Sequence, residues 1–249
     1  MCTVVILRRP GDAWPLIIGA NRDEMLNRPW WPPARHWPDR PDVVAGLDEL
    51  GGGTWQGLND HGVTAAVLNR VGSLGPDPNK RSRGELVLEA LDHADASSAA
   101  AALAALDGNA YRSFNLVVAD YTSAFWLRHD GGSRLFLDEV PAGLSMITAH
   151  DLNDLSSPRI RAYLPRFRGA SPPDPGAGEW QAWEALLASQ APAGNGGPQA
   201  GMAIKAESMA SFGTVSSALI ALPAGDGAPV WRFAPGMPGE VPFEDVKLD

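Results

Sequence analysis

Two apolar runs near the start of the chain, Thr3 to Leu7 and Leu16 to Ala20, flank the turn signal Pro10-Gly11-Asp12. Continuous β-branched and apolar runs suit strands covered on both faces, and Pro-Gly punctuation reverses the chain between them. The pattern predicts an antiparallel hairpin, so the fold must place a sheet at its N-terminus and cover both sides of it. If Leu7 stands opposite Leu16, paired positions share one sum and Cys2 falls opposite Asn21, within a couple of residues. The polar run Asn21-Arg22-Asp23-Glu24 then emerges beside the chain start.

The rest of the pattern builds on that hairpin. Asn21 to Asp42 is rich in Pro, Arg and Trp and reads as an irregular excursion. Val43 to Leu47 reads as a short strand, and Thr54 to Asn59 with Gly62 to Leu68 as a second hairpin around Asp60-His61. Arg83 to His93 repeats leucine on a helical period, and Ala96 to Leu106 is an alanine-rich helix former. Strands resume at Asn115 to Ala119, Ala124 to Arg128, Arg134 to Leu137 and Leu144 to Thr148. Pro158 to Leu164 predicts a helix with Ser157 as N-cap and Pro158 at the first helical position. The Pro/Gly-rich stretches Gly169 to Gly178 and Ala191 to Gly201 are loops around a helix at Trp180 to Ser189. Thr214 to Leu222 and Pro229 to Phe233 are the last strands. Hairpins outnumber βαβ units, which predicts an α+β domain of antiparallel sheets with segregated helices. We read residues 1–249 as a single domain.

Composition narrows the function classes. A formal net charge of −9 argues against a nucleic-acid partner and against binding an anionic membrane, both of which need a basic footprint. The single cysteine excludes an intrachain disulfide and favours a reducing compartment. No apolar run is long enough to span a bilayer. Val4 to Leu7 is too short for a signal peptide and runs straight into Arg8-Arg9. The expectation is a cytoplasmic protein with no stable membrane insertion. The five histidines, His36, His61, His93, His129 and His150, have no metal-ligand spacing, so neither a metal nor a cofactor is expected.

Cys2 is the residue richest in chemistry. Removal of Met1, expected when the second residue is small, leaves a cysteine with a free α-amine. Reference pKa values of about 7.7–8.0 for that amine and about 8.5 for the thiol make a base and a nucleophile in one residue. The alternative is a small buried hydrophobe on a strand. Asp23 beside it can orient the amine, and Arg22 favours thiolate. Counting outward from Asp60-His61 puts Leu68 and Asn69 near Gly52 and Gly53. An amide at a strand end beside glycines is either an oxyanion donor or a strand cap.

The residues also carry a family resemblance. Met1-Cys2-Thr3, Ala20-Asn21-Arg22-Asp23-Glu24 with Asn27-Arg28-Pro29, and Gly46-Leu47-Asp48 leading to Gly52-Gly53-Thr54-Trp55 resemble the NRDE family. That family is also called the transport and Golgi organization protein 2 family. Ala65 to Arg70, Ser82-Arg83-Gly84-Glu85, Phe114-Asn115-Leu116 and Phe212 to Ser217 look like its later blocks, in order. The family in turn is similar to the cysteine N-terminal-nucleophile (Ntn) hydrolases, among them the bile-salt and penicillin V acylases. The resemblance implies a four-layer αββα sandwich with two antiparallel sheets. It implies a hydrolase of small-molecule amides with Cys2 as nucleophile and Arg22, Asp23 and Asn69 as catalytic partners. Asn21, Glu24, Gly53, Thr54 and Trp55 become the implied substrate contacts. Two positions depart from the acylase pattern: Ala20 stands where those enzymes have Arg, and Ala149 where they have a second Asn, unless Asn153 reaches in. The alternative function is a non-catalytic carrier of haem or another small ligand, with Cys2, His61 or His150 as axial ligand.

Overall fold

The computed structural model describes residues 2–190, 200–208 and 211–249. Most of the loop read at Ala191 to Gly201, and Met1, lie outside the described residues. The chain forms two compact units, one of residues 1–28 and 141–246, the other of residues 29–140 and 247–249. Each is an antiparallel sheet with a pair of helices, so the α+β expectation holds.

The first unit begins with β1 (Thr3–Arg8) and β2 (Leu16–Met25). They form the predicted hairpin, with Gly11 taking the left-handed φ of 88° at its turn. Its other strands are β10 (Gly143–Ile147), β11 (Phe212–Leu222), β12 (Val230–Ala234) and the two-residue β13 (Glu244–Asp245). The sheet runs β10-β1-β2-β11-β12-β13. Odd-numbered residues of the hairpin face the helices α3 (Pro158–Gly169) and α4 (Gln181–Leu187): Val5 and Ile17 share a core with Ile160, Phe167, Trp183 and Leu187. Gly19 makes room on that face, where a Cβ would sit a tight 3.2 Å from the Trp183 ring.

The second unit holds β3 (Trp30–Ala34), β4 (Val43–Asp48), β5 (Gln56–Asn59), β6 (Thr64–Asn69), β7 (Phe114–Ala119), β8 (Ala124–His129) and β9 (Phe136–Glu139), neighbours in that order. Helices α1 (Gly84–Leu91) and α2 (Ala96–Ala104) pack on it through Leu86, Leu91, Ala99 and Leu103. Asp95 caps α2, its carboxylate accepting from the Ser98 amide at 2.7 Å.

Three expectations need correction, and the register of the Cys2 hairpin falls within the couple of residues allowed for it. The polar run Asn21 to Glu24 is strand, because the long partner β11 pairs with it as far as Phe212↔Met25. Trp30–Ala34 is also strand. It lies at a sheet edge with an irregularity between Trp31 and Ala34, where Pro32 and Pro33 are tolerated. Helix α3 continues past Pro165 to Gly169, since Phe167 is buried 5.2 Å from the Trp183 ring and Pro165 lies on the exposed side. The hairpin register differs by one: Leu7 pairs with Ile17 and Thr3 with Asn21, which sets Cys2 beside Arg22. Ser157 does cap α3, its hydroxyl accepting from the Ile160 amide. Among the described residues no helix is long and apolar enough to cross a membrane.

Candidate functional site

Strand alternation sorts the candidate residues of the first unit by face. Thr3, Asn21 and Asp23 point to the helix side. Cys2 precedes Thr3 and Arg22 lies between Asn21 and Asp23, so their side chains point the other way.

On the helix side Asp23 is enclosed and held at both oxygens. Thr214 Oγ1 donates to Oδ1 at 2.6 Å, and Arg159 Nη1 donates to Oδ2 at 2.9 Å. The same Arg159 nitrogen donates to Thr3 Oγ1 at 2.7 Å. The side chains of Arg159 and Asp23 are 1% and 0% exposed. Two ions taken fully out of water survive only with close geometry and further hydrogen bonds, and this pair has both.

Asn21, one pair toward the turn, is equally engaged. Its Nδ2 donates to the carbonyls of Leu187 at 2.9 Å and Met202 at 3.0 Å, and its Oδ1 accepts from Ser217 at 2.7 Å. Both amide hydrogens serve the scaffold, tying β2 to the end of α4 and to the segment around Met202.

On the opposite side, the Cys2 thiol donates to the Asp23 carbonyl at 3.6 Å. Cys2 keeps partial solvent contact, but the protein around it is dense enough that burial dominates its titration. Burial pushes the thiol up. The positive chain terminus pulls it down, the Asp23 carboxylate adds to the rise, and the Asp23 carbonyl and Arg22 pull down more weakly. Arg22 and the ammonium favour thiolate as expected, but desolvation outweighs them, so the thiol is raised overall. A neutral thiol beside an amine suits proton transfer to that amine during attack rather than a standing thiolate. Arg22 is buried, and Glu24 is half-buried, accepting from the Met25 amide and lying 3.9 Å from Arg28.

The remaining sequence candidates belong to the second unit. Asn69 ends β6, half-buried and paired with Phe114. The local register, with Val67 donating to the Trp55 carbonyl, extends to Gly53 opposite Asn69, again one residue from the count. Gly53 packs against backbone: a Cβ would lie 2.6 Å from the Gly84 carbonyl carbon at the start of α1. Thr54 is buried with its hydroxyl donating to the Gln56 carbonyl. Trp55 lies over Gly46, where a Cβ would fall 2.2 Å from its ring, and meets Trp30 edge to face at 5.6 Å. The glycine run therefore serves close packing of α1 and of an indole.

Among the histidines proposed as axial ligands, His61 is exposed on a hairpin turn and His150 bonds Ser156 at 3.3 Å near Asp154. No cluster of three or more His, Cys, Asp or Glu side chains suited to a metal ion occurs among the described residues. Asn153 does not stand in for the missing asparagine with its amide oxygen. At a left-handed φ of 58°, it accepts from the Met146 amide and donates to Ser145, closing the outer edge of β10.

Arg159 escaped the sequence reading. The signal was present: Arg159 lies four and eight residues before Tyr163 and Phe167, on the buried stripe of α3, whereas Arg161, Arg166 and Arg168 fall on its exposed side.

Comparison with known proteins places these features. The family described as Transport and Golgi organisation 2 matches residues 1–161. A Transport and Golgi organization 2 homolog from Mus musculus is 35% identical over 116 residues, covering 45% of this chain and 41% of that protein. The Homo sapiens homolog is 38% identical over 118 residues, with the same coverage. The match thus spans about two fifths of those relatives. Among solved structures, the Caenorhabditis elegans N-acylethanolamine-hydrolyzing acid amidase ortholog is similar with a TM-score of 0.58 and 13% identity, over 88% of this chain and 92% of that one. A C2A mutant of the conjugated bile acid hydrolase from Clostridium perfringens gives 0.54 and 11% over 100% and 94%. The penicillin V acylase from Agrobacterium tumefaciens gives 0.50 and 13% over 99% and 98%. The fold is that of the Ntn hydrolases.

Proposed function

The chain belongs to the Transport and Golgi organisation 2 family, and on that premise we propose that it is a cysteine Ntn hydrolase of a small-molecule amide. The observation that carries the reading is the placement of the one cysteine at the strand end beside Asp23, with Sγ 3.6 Å from its carbonyl. With Met1 removed, the α-amine of Cys2 takes the thiol proton as sulfur attacks the amide carbonyl. The C–N bond breaks, and the ammonium returns the proton to the leaving nitrogen. Water, deprotonated by the same amine, then releases the acid and restores the thiol. Asp23 orients the amine and Arg22 biases charge around the sulfur. The neighbours named amidase, hydrolase and acylase support this reaction class. The cytoplasmic setting read from the sequence belongs to the same proposal.

The test is turnover of an amide panel by tag-free protein. Cys2→Ser retains ligand binding and loses most of kcat, because only the nucleophile changes. Absence of turnover together with stoichiometric haem binding that depends on Cys2, His61 or His150 would favour the carrier.

A further inference from the structure

The hydrolase reading leaves one buried group without a task. Arg159 enters the first unit from the first turn of α3, and one of its nitrogens touches both strands of the Cys2 hairpin. Nη1 reaches Thr3 Oγ1 at 2.7 Å on β1 and Asp23 Oδ2 at 2.9 Å on β2. Thr3 is the residue after Cys2, and Asp23 offers the carbonyl that accepts the Cys2 thiol. A buried ion pair is poor at raising stability compared with apolar side chains of the same size, whereas it fixes geometry well. Thr214 completes the cradle from β11 at 2.6 Å. We propose that Arg159 is a positioning residue for the Cys2 centre: its guanidinium locks the Asp23 carboxylate and the Thr3 end of β1 together, so that Asp23 is presented to the Cys2 nitrogen from the helix side. This rests on the hydrolase reading for its catalytic meaning, but the geometry it describes is measurable without turnover.

The lock has a consequence for the thiol. The Asp23 carboxylate raises the Cys2 titration, and Arg22 and the chain terminus lower it. Arg159 supplies a compensating charge 2.9 Å from Asp23. Loosening that contact leaves the carboxylate less compensated, so the thiol midpoint rises.

The experiment is the rate of Cys2 alkylation by iodoacetamide against pH, on tag-free full-length chain, with Tm measured alongside. Arg159→Lys keeps the charge on a shorter side chain, which draws its nitrogen back from Thr3 and Asp23. It raises the midpoint by roughly half a pH unit or more. Thr3→Val removes only the hydroxyl end of the lock and raises it less; it carries the test if Arg159→Lys does not fold. Ser217→Ala is the control, deleting a buried hydroxyl from the adjoining Asn21 cluster without touching Asp23. It lowers Tm and leaves the midpoint in place. In turnover, Arg159→Lys lowers kcat about tenfold with KM nearly unchanged. Midpoints for Arg159→Lys and Thr3→Val equal to wild type, or shifted no more than Ser217→Ala, overturn the inference. If wild type cleaves no amide while Arg159→Lys still moves the midpoint, the hydrolase reading falls and the positioning role stands. The converse result removes Arg159 and keeps the hydrolase.

Discussion

The two units treat their most informative sequence blocks in opposite ways. In the first, the polar block Asn21 to Asp23 is buried, with Asp23 held by Arg159 and Thr214 and Asn21 by Ser217. In the second, the glycine block Gly51 to Thr54 owes its form to packing, with Gly53 against Gly84 and Trp55 over Gly46. Both blocks belong to the same family pattern, yet they answer different physical demands. Buried charge is costly unless positioned, so its presence marks a place where geometry matters. Close backbone approach costs only a side chain, so glycine there marks packing.

The largest effect expected from this contrast is on stability in the first unit. Asp23→Asn removes the carboxylate that Arg159 contacts and costs about 3–5 kcal/mol, the range for breaking a buried pair from one side. Urea unfolding measures it, and a loss below about 1 kcal/mol would mean the pair is not desolvated as described. Replacing both partners, as Asp23→Leu with Arg159→Met, recovers much of that loss while leaving Cys2 without its carboxylate. Recovered stability with unchanged Cys2 chemistry would break the distinction between holding the fold and holding the site.

Next comes the second unit. Gly53→Ala forces a Cβ to 2.6 Å from the Gly84 carbonyl carbon and costs roughly 1–3 kcal/mol through overpacking. Its signature is a lower Tm with the Cys2 alkylation profile unmoved. A change in that profile at full stability would instead assign the glycine run to the site.

The smallest effect is at high pH. Burial first, then the nearby Glu89, pushes the Tyr111 hydroxyl up to about 12 from 10.0. A raised folded-state value means the neutral form is favoured in the fold. That contribution to stability is present below pH 10 and is lost as pH rises towards 12. The difference in tyrosinate absorbance between wild type and Tyr111→Phe on alkaline titration should develop only as pH approaches about 12. A difference complete near pH 10 would contradict the burial of Tyr111 beneath α1.

The same contrast explains what was legible in the sequence. Apolar periodicity and Pro-Gly punctuation located the Cys2 hairpin, the Asp60-His61 hairpin, both helices of the second unit and the Ser157 cap. Register was legible to within one residue in both hairpins; the last residue depends on turn geometry, which the apolar pattern of the strands does not fix alone. The continuation of β2 through Asn21 to Met25 was illegible, since a polar run reads as loop until its partners are known. Those partners, Thr214, Ser217 and Arg159, lie far along the chain. Cys2 and Asp23 were visible from position and charge. The sign of the thiol shift was not, because burial is a property of the folded surroundings.

On the proposed chemistry Cys2, freed of Met1, is an acylating nucleophile. Intact-mass analysis of tag-free protein quenched during incubation with a broad amide panel tests it most directly. The expected spectrum is one methionine lighter than the encoded chain and gains a single acyl mass, mapped to Cys2 and absent in Cys2→Ala. Retention of Met1, or a wild-type protein that never gains an acyl mass across the panel, would contradict it.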